Sequence, residues 1–115
     1  MSKHNEQVPF LSYEDAIMAL KQTQVEYGVH IDFHLAPAQY SRNGKGFCFI
    51  WTVKELRGEK GFVCIHRRVV DFPSRSFRTF PAMVVSTVSS LAVWIEEERA
   101  RQKSALAQLP LFREA

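Results

Sequence analysis

Hydrophobic and polar positions change their spacing along the chain, and the changes mark out the elements. Tyr13, Ile17, Leu20, Gln24 and Tyr27 recur at helical spacing with one polar interruption. Ser12 stands before them as an N-cap, Asp15 follows three residues later as in a capping box, and Gly28 occupies the C′ position. The pattern predicts a first helix of about four turns. After Gly28 the period becomes two. Val29, Ile31, Phe33 and Leu35 alternate with His30, Asp32, His34 and Ala36, which predicts a half-buried strand that Pro37 ends or confines to an edge.

Ser41-Arg42-Asn43-Gly44 reads as a turn. Two apolar runs follow, over 46–56 and 61–72, separated by Arg57-Gly58-Glu59-Lys60, and they predict a β-hairpin. Pro73-Ser74-Arg75-Ser76 breaks the sheet. Thr79 then caps a last helix with Pro81 in its first turn. Val84, Val88, Leu91 and Ile95 form its apolar stripe, widened by Val85, Ala92 and Trp94. Beyond Ile95 the chain is almost wholly polar, with Glu97 and Arg101 spaced to pair one turn apart, and the helix is expected to fray near Ala107. The expected fold is therefore α+β: a single small domain in α-β-β-β-α order, an antiparallel three-stranded sheet packed by two helices, over 1–103, with a flexible tail over 104–115.

A chain of 115 residues, 46% hydrophobic and 23% charged, can bury one core without a metal or disulfide. No segment approaches the roughly 20 apolar residues of a membrane span. The first residues lack the apolar stretch of a secretory signal. A cytoplasmic protein is expected. Cys48 and Cys64, both within strand patterns, are expected to be buried reduced thiols.

The net charge of +3 is unevenly spread: residues 42–78 carry nine basic and three acidic side chains, while residues 1–41 carry two and five. Lys54, Arg57, Lys60, Arg67, Arg68, Arg75 and Arg78, with Arg42 and Lys45, concentrate the positive charge on the hairpin and the loop after it. Such a segment suits non-specific contact with a phosphate backbone. The interleaved Phe47, Phe49, Trp51 and Phe62 are either stacking surfaces for bases or, at period two, core.

His30, Asp32 and His34 share a strand face, but the two histidines lie about 13 Å apart along it, too far to ligate one metal without a bulge. His66 joins them only if its strand is adjacent. There is no glycine-rich phosphate loop, no nucleophile elbow and no convincing carboxylate pair. Neither enzyme activity nor a cofactor or metal is expected.

The tail carries the most specific signal. After the polar stretch, Leu109, Leu111 and Phe112 arrive together, and Pro110 disfavours helix at Leu109. Gln108-Leu109-Pro110-Leu111-Phe112 resembles the bacterial sliding-clamp-binding pentapeptide, found in replication and repair proteins and in phage or plasmid proteins that use the host clamp. The resemblance implies that Gln108 hydrogen-bonds at the pocket rim, Leu109 sets register, and Leu111 and Phe112 fill the pocket. It implies a bacterial sliding clamp as partner and a non-enzymatic accessory role beside DNA. A different reading of the same tail is a structural homodimer, or another protein-interaction module, whose C-terminal helix and tail form the interface. The α-β-β-β-α order is similar to that of the double-stranded-RNA-binding domain. That family's second helix opens on lysines where Thr79-Phe80-Pro81-Ala82 stand here, so no residue role is carried over.

Overall fold

Ser12 and Asp15 close the expected capping box: Ser12 Oγ accepts from the Asp15 amide at 3.0 Å, and Asp15 Oδ2 accepts from the Ser12 amide at 3.3 Å. Two orphan donors at the start of helix α1 (Tyr13–Tyr27) are thereby satisfied. The computed structural model describes residues 11–40 and 46–108, so the Ser41–Gly44 turn and Lys45 lie outside the described residues. Gly28 ends α1 in the left-handed region at φ 64°, its amide donating to the Gln24 carbonyl. The Gln24 side chain, the polar interruption in the apolar pattern, accepts from the Ile31 amide at 2.8 Å and ties the helix end to the first strand.

Three strands follow, β1 (His30–Ala36), β2 (Phe47–Leu56) and β3 (Phe62–Phe72), and helix α2 (Phe80–Ala107) completes the α-β-β-β-α order. The sheet is antiparallel throughout, in the order β1-β2-β3. Thr79 caps α2 by accepting from the Ala82 amide at 3.3 Å, with Pro81 in the first turn, where its missing N–H costs nothing.

Both helices cover one face of the sheet. Ala16 and Leu20 of α1 and Met83, Val84, Val88, Leu91 and Ile95 of α2 close over Ile31, Trp51 and Val53. Trp51 is fully buried and stacks on Phe33 at 4.3 Å between ring centroids. Its indole N–H has no hydrogen-bond partner among the described residues. An orphaned donor costs about 1–3 kcal/mol. Burial of a ring of this size, about 200 Å² at about 25 cal/mol per Å², returns about 5 kcal/mol, so the ring belongs inside even with its donor unsatisfied. Phe80, at the start of α2, makes ring contacts with Tyr13, Phe33, Phe49 and Phe72 and joins the two helices to the sheet.

Four local expectations change. Leu35 is 59% exposed rather than in the core, because the helix layer does not reach that end of β1. Ala36, expected on the solvated face, is buried with its register partner Cys48, since the chain folds back at Pro37 and the Cys48 thiol lies 3.9 Å from the Pro37 carbonyl. Cys64 is exposed, not buried. A register shift between Val53 and Lys54 pairs Lys54 with Cys64 and Val53 with His66, so Ile65 is the extra residue and the alternation of faces is broken beside Cys64. Lastly, Arg101 pairs with Glu98, one turn back at i−3, rather than with Glu97. Glu98 is the carboxylate that turns toward the domain, and it also accepts from Gln102 at 3.2 Å.

Candidate functional site

The basic side chains come to three separate places. On the uncovered face of the sheet, Lys54 is 3.3 Å from Asp32, which His30 also approaches at 3.4 Å. Arg67, on the same face, is exposed and has no ion pair among the described residues. It borders a shallow depression of about 490 Å³ with His34, Tyr40, Ile50 and Val69. At the hairpin end, Arg57 is held by Glu55 at 3.0 Å while Lys60 is exposed in the turn. At the other end of β3, about 30 Å away for a strand of this length, Arg75 and Arg78 are exposed in the loop before α2.

Arg68 is different. Successive strand residues point to opposite faces, and Arg68 points toward the helices, donating to Ser90 and lying 3.4 Å from His66 Nε2. The expected nucleic-acid set of seven is thus divided. Lys60, Arg67, Arg75 and Arg78 are exposed and unpaired among the described residues, Lys54 and Arg57 are paired with carboxylates, and Arg68 braces α2.

Of the aromatic residues, Phe49 and Trp51 are core, as the period of two allowed. Phe47 is 37% exposed and contacts Phe49 and Phe72 at the rim of the sheet. Phe62 alone of the four stands on the uncovered face, 58% exposed, with its ring centroid 5.7 Å from that of His30.

His66 does not join His30 and His34. Its strand is separated from β1 by β2, and its ring faces the helices, stacked on Trp94 at 4.1 Å. Burial, and then the neighbouring Arg68 charge, hold its imidazole below the ordinary histidine range against the pull of Glu98. Among the described residues no group of three His, Cys, Asp or Glu side chains is placed to hold one metal ion. Also among them, no helix is long and apolar enough to cross a membrane. Burial, and then Asp71, push the Cys48 thiol up.

A cleft of about 240 Å³ separates the hairpin from α2, with Glu55, Arg57, Cys64, Trp94 and Arg99 among its walls. Beside it α2 is clipped to α1. Tyr27 Oη donates to Glu96, Arg99 Nη2 donates to the Tyr27 carbonyl at 2.5 Å, and the same guanidinium lies 3.7 Å from Glu55. The polar run after Ile95 therefore holds the domain before it leaves it. In the sequence this clip shows only faintly: Arg99 follows Ile95 by four positions on the stripe, and Glu96 follows Ala92 by four at its edge.

Past Gln102 the helix runs on to Ala107. Residues 101–108 are all exposed, so the first four residues of the expected tail, 104–107, form the last helical turn. Gln108 caps it, its amide donating to the Ala105 and Leu106 carbonyls, with its side chain exposed. From Ile95, the last buried residue of α2, to Gln108 is about 20 Å of helix. Leu109, Pro110, Leu111 and Phe112 lie outside the described residues. Comparison of the chain with known protein families, with curated proteins and with solved structures finds no match.

Proposed function

We propose that this chain is a small non-enzymatic accessory protein of bacterial DNA replication or repair, or of a phage or plasmid that uses the same machinery. In this reading it docks on the sliding clamp through Gln108-Leu109-Pro110-Leu111-Phe112. The observation that carries the reading is the pentapeptide itself, and its setting agrees with it. The motif begins where a solvated helical arm ends, and Gln108 is exposed there. Leu111 and Phe112 are the anchors that fill the clamp's apolar pocket, and Pro110 lowers the ordering cost of an extended backbone. The domain, held beside DNA by the clamp, then contacts it weakly through Lys60, Arg67, Arg75 and Arg78. Tethering raises the effective concentration enough for weak contacts to matter.

The test is direct binding of a peptide spanning residues 104–115 to a bacterial sliding clamp. The expected dissociation constant is micromolar, on the order of −7 to −8 kcal/mol. Replacing Leu111 and Phe112 together by alanine should abolish the signal, at about 2 kcal/mol or more for each anchor. Binding unaffected by that double substitution, or none at high micromolar clamp, refutes the reading.

A further inference from the structure

Helix α1 is apolar on two sides. Ala16 and Leu20 face the core, while Met18 and Val25, on the opposite side, are 56% and 84% exposed. Met18 and Val25 are seven residues apart, close to two full helical turns, so they lie in one line along the helix. Leu11, seven residues before Met18 and just ahead of the cap, is 36% exposed. Shallow grooves run along this seam on either side of the Lys21 stem, one against Met18 and Ile17 and the other against Val25. A solvated helix face ordinarily presents charge here. An apolar line at heptad spacing opposite the core is the pattern of a helix that packs on another helix.

We infer that this face docks on the same face of a second copy of the chain, antiparallel, with the two-fold axis at Met18. The flanking charges select that arrangement. At about 100° per residue, Glu14 and Lys21 fall on one flank of the seam, and Asp15 and Gln22 on the other. A two-fold axis across the helices keeps each flank facing its own kind. With the axis at Met18, Lys21 of one copy meets Glu14 of the other, twice. Gln22 meets Asp15, whose Oδ2 already accepts from Ser12, and Leu11 comes against Val25.

The competing registers are disfavoured by the same residues. Setting Met18 of one copy on Val25 of the other moves the axis beside Lys21 and brings the two ammonium groups together. A parallel pair sets Glu14 beside Asp15 of the other copy, carboxylate against carboxylate. Like charges at such an interface act against the wrong pairing as much as Lys21 and Glu14 favour the right one. The seam is one short helix, 15 residues long, so the interface is at the small, reversible end of the range.

The test is sedimentation equilibrium of the full chain from about 1 µM to about 500 µM, where mass action carries a dimer with a dissociation constant of tens of micromolar from mostly monomer to mostly dimer. Met18→Glu sets two carboxylates on the axis and should leave monomer throughout. Glu14→Lys and Lys21→Glu should each weaken association about tenfold, and the two together in one chain should restore it to within about threefold, because the pair is then reversed but still complementary. All these positions are exposed, and an unchanged circular dichroism spectrum confirms that each variant is folded. A chain ending at Ala107 should dimerise as the full chain does. Monomer across the range, a dimer indifferent to Met18→Glu, a charge swap without rescue, or dimerisation lost on removing the tail would each overturn the inference. None of these outcomes depends on whether the tail binds a clamp.

Discussion

Tyr27 and Arg99, 72 positions apart, are joined twice: the Arg99 guanidinium donates to the Tyr27 carbonyl, and its Cζ lies 5.9 Å from the centre of the Tyr27 ring. Tyr27 is the last residue of α1, where carbonyls are left without helical partners and the helix dipole favours a cation. The last turn of α1 has no basic residue of its own. Helix α2 supplies one.

That contact and its neighbour Glu96 make a spectroscopic prediction. The hydrogen bond to Glu96, and then burial, push the Tyr27 phenol up to about 12 from 10.0. The unfolded chain loses this proton first, so the associated stability is intact below pH 10 and is lost as the pH rises through about 12. Absorbance titration should show one phenol ionising near 12, and Glu96→Gln should bring it down. An unchanged profile in that variant would contradict the hydrogen bond.

His66 should titrate below the usual 6.5. Its proton is taken up first by the unfolded chain, so stability falls as the pH drops through and below that value. Proton NMR of the His66 ring gives the titration directly. Trp94→Leu exposes the stacked ring and should move the value upward; no movement would show that burial by Trp94 is not the cause.

The proposed DNA contact divides the arginines by face. Arg67→Ala, alone or with Lys60, Arg75 and Arg78 replaced, should weaken binding and flatten its dependence on salt, by roughly one unit of slope per lost phosphate contact. Arg68→Ala should leave the slope alone and lower stability by about 1 kcal/mol through the lost Ser90 bond. Fluorescence anisotropy with single- and double-stranded oligonucleotides at several salt concentrations measures both. If Arg67→Ala leaves the slope unchanged while Arg68→Ala lowers it, the assignment of faces is wrong.

In the full chain the clamp motif should show graded costs. Gln108→Ala removes a rim hydrogen bond and should cost about 1 kcal/mol. Pro110→Ser should be nearly neutral, since only preorganisation is lost. Calorimetric titration against the clamp would expose a wrong ranking, for example Pro110→Ser costing more than Gln108→Ala.

The elements and their order were legible in the residues because the signals are local. The Ser12–Asp15 box, Gly28, Thr79 with Pro81, and the change of period from 3.6 to 2 each act within a few positions. The same is true of the stripe from Val84 to Ile95, although Met83 and Thr87, each one position before a stripe residue and so on one flank of it, are buried as well. Of the candidate site, the charged segment and the terminal peptide were visible as composition and motif.

What the chain alone left open depends on which strands meet and in what register. The placement of Ile65 as the extra residue breaks the alternation of faces beside Cys64, and His66 faces Trp94. The intervention of β2 decides that His66 cannot join His30. The helix layer on one face decides that Arg68 is a brace and Arg67 an exposed cation, though the two are neighbours in sequence. Hydrophobic period and capping are properties of a short window, whereas partnership between Tyr27 and Arg99 exists only once two helices have packed on one sheet.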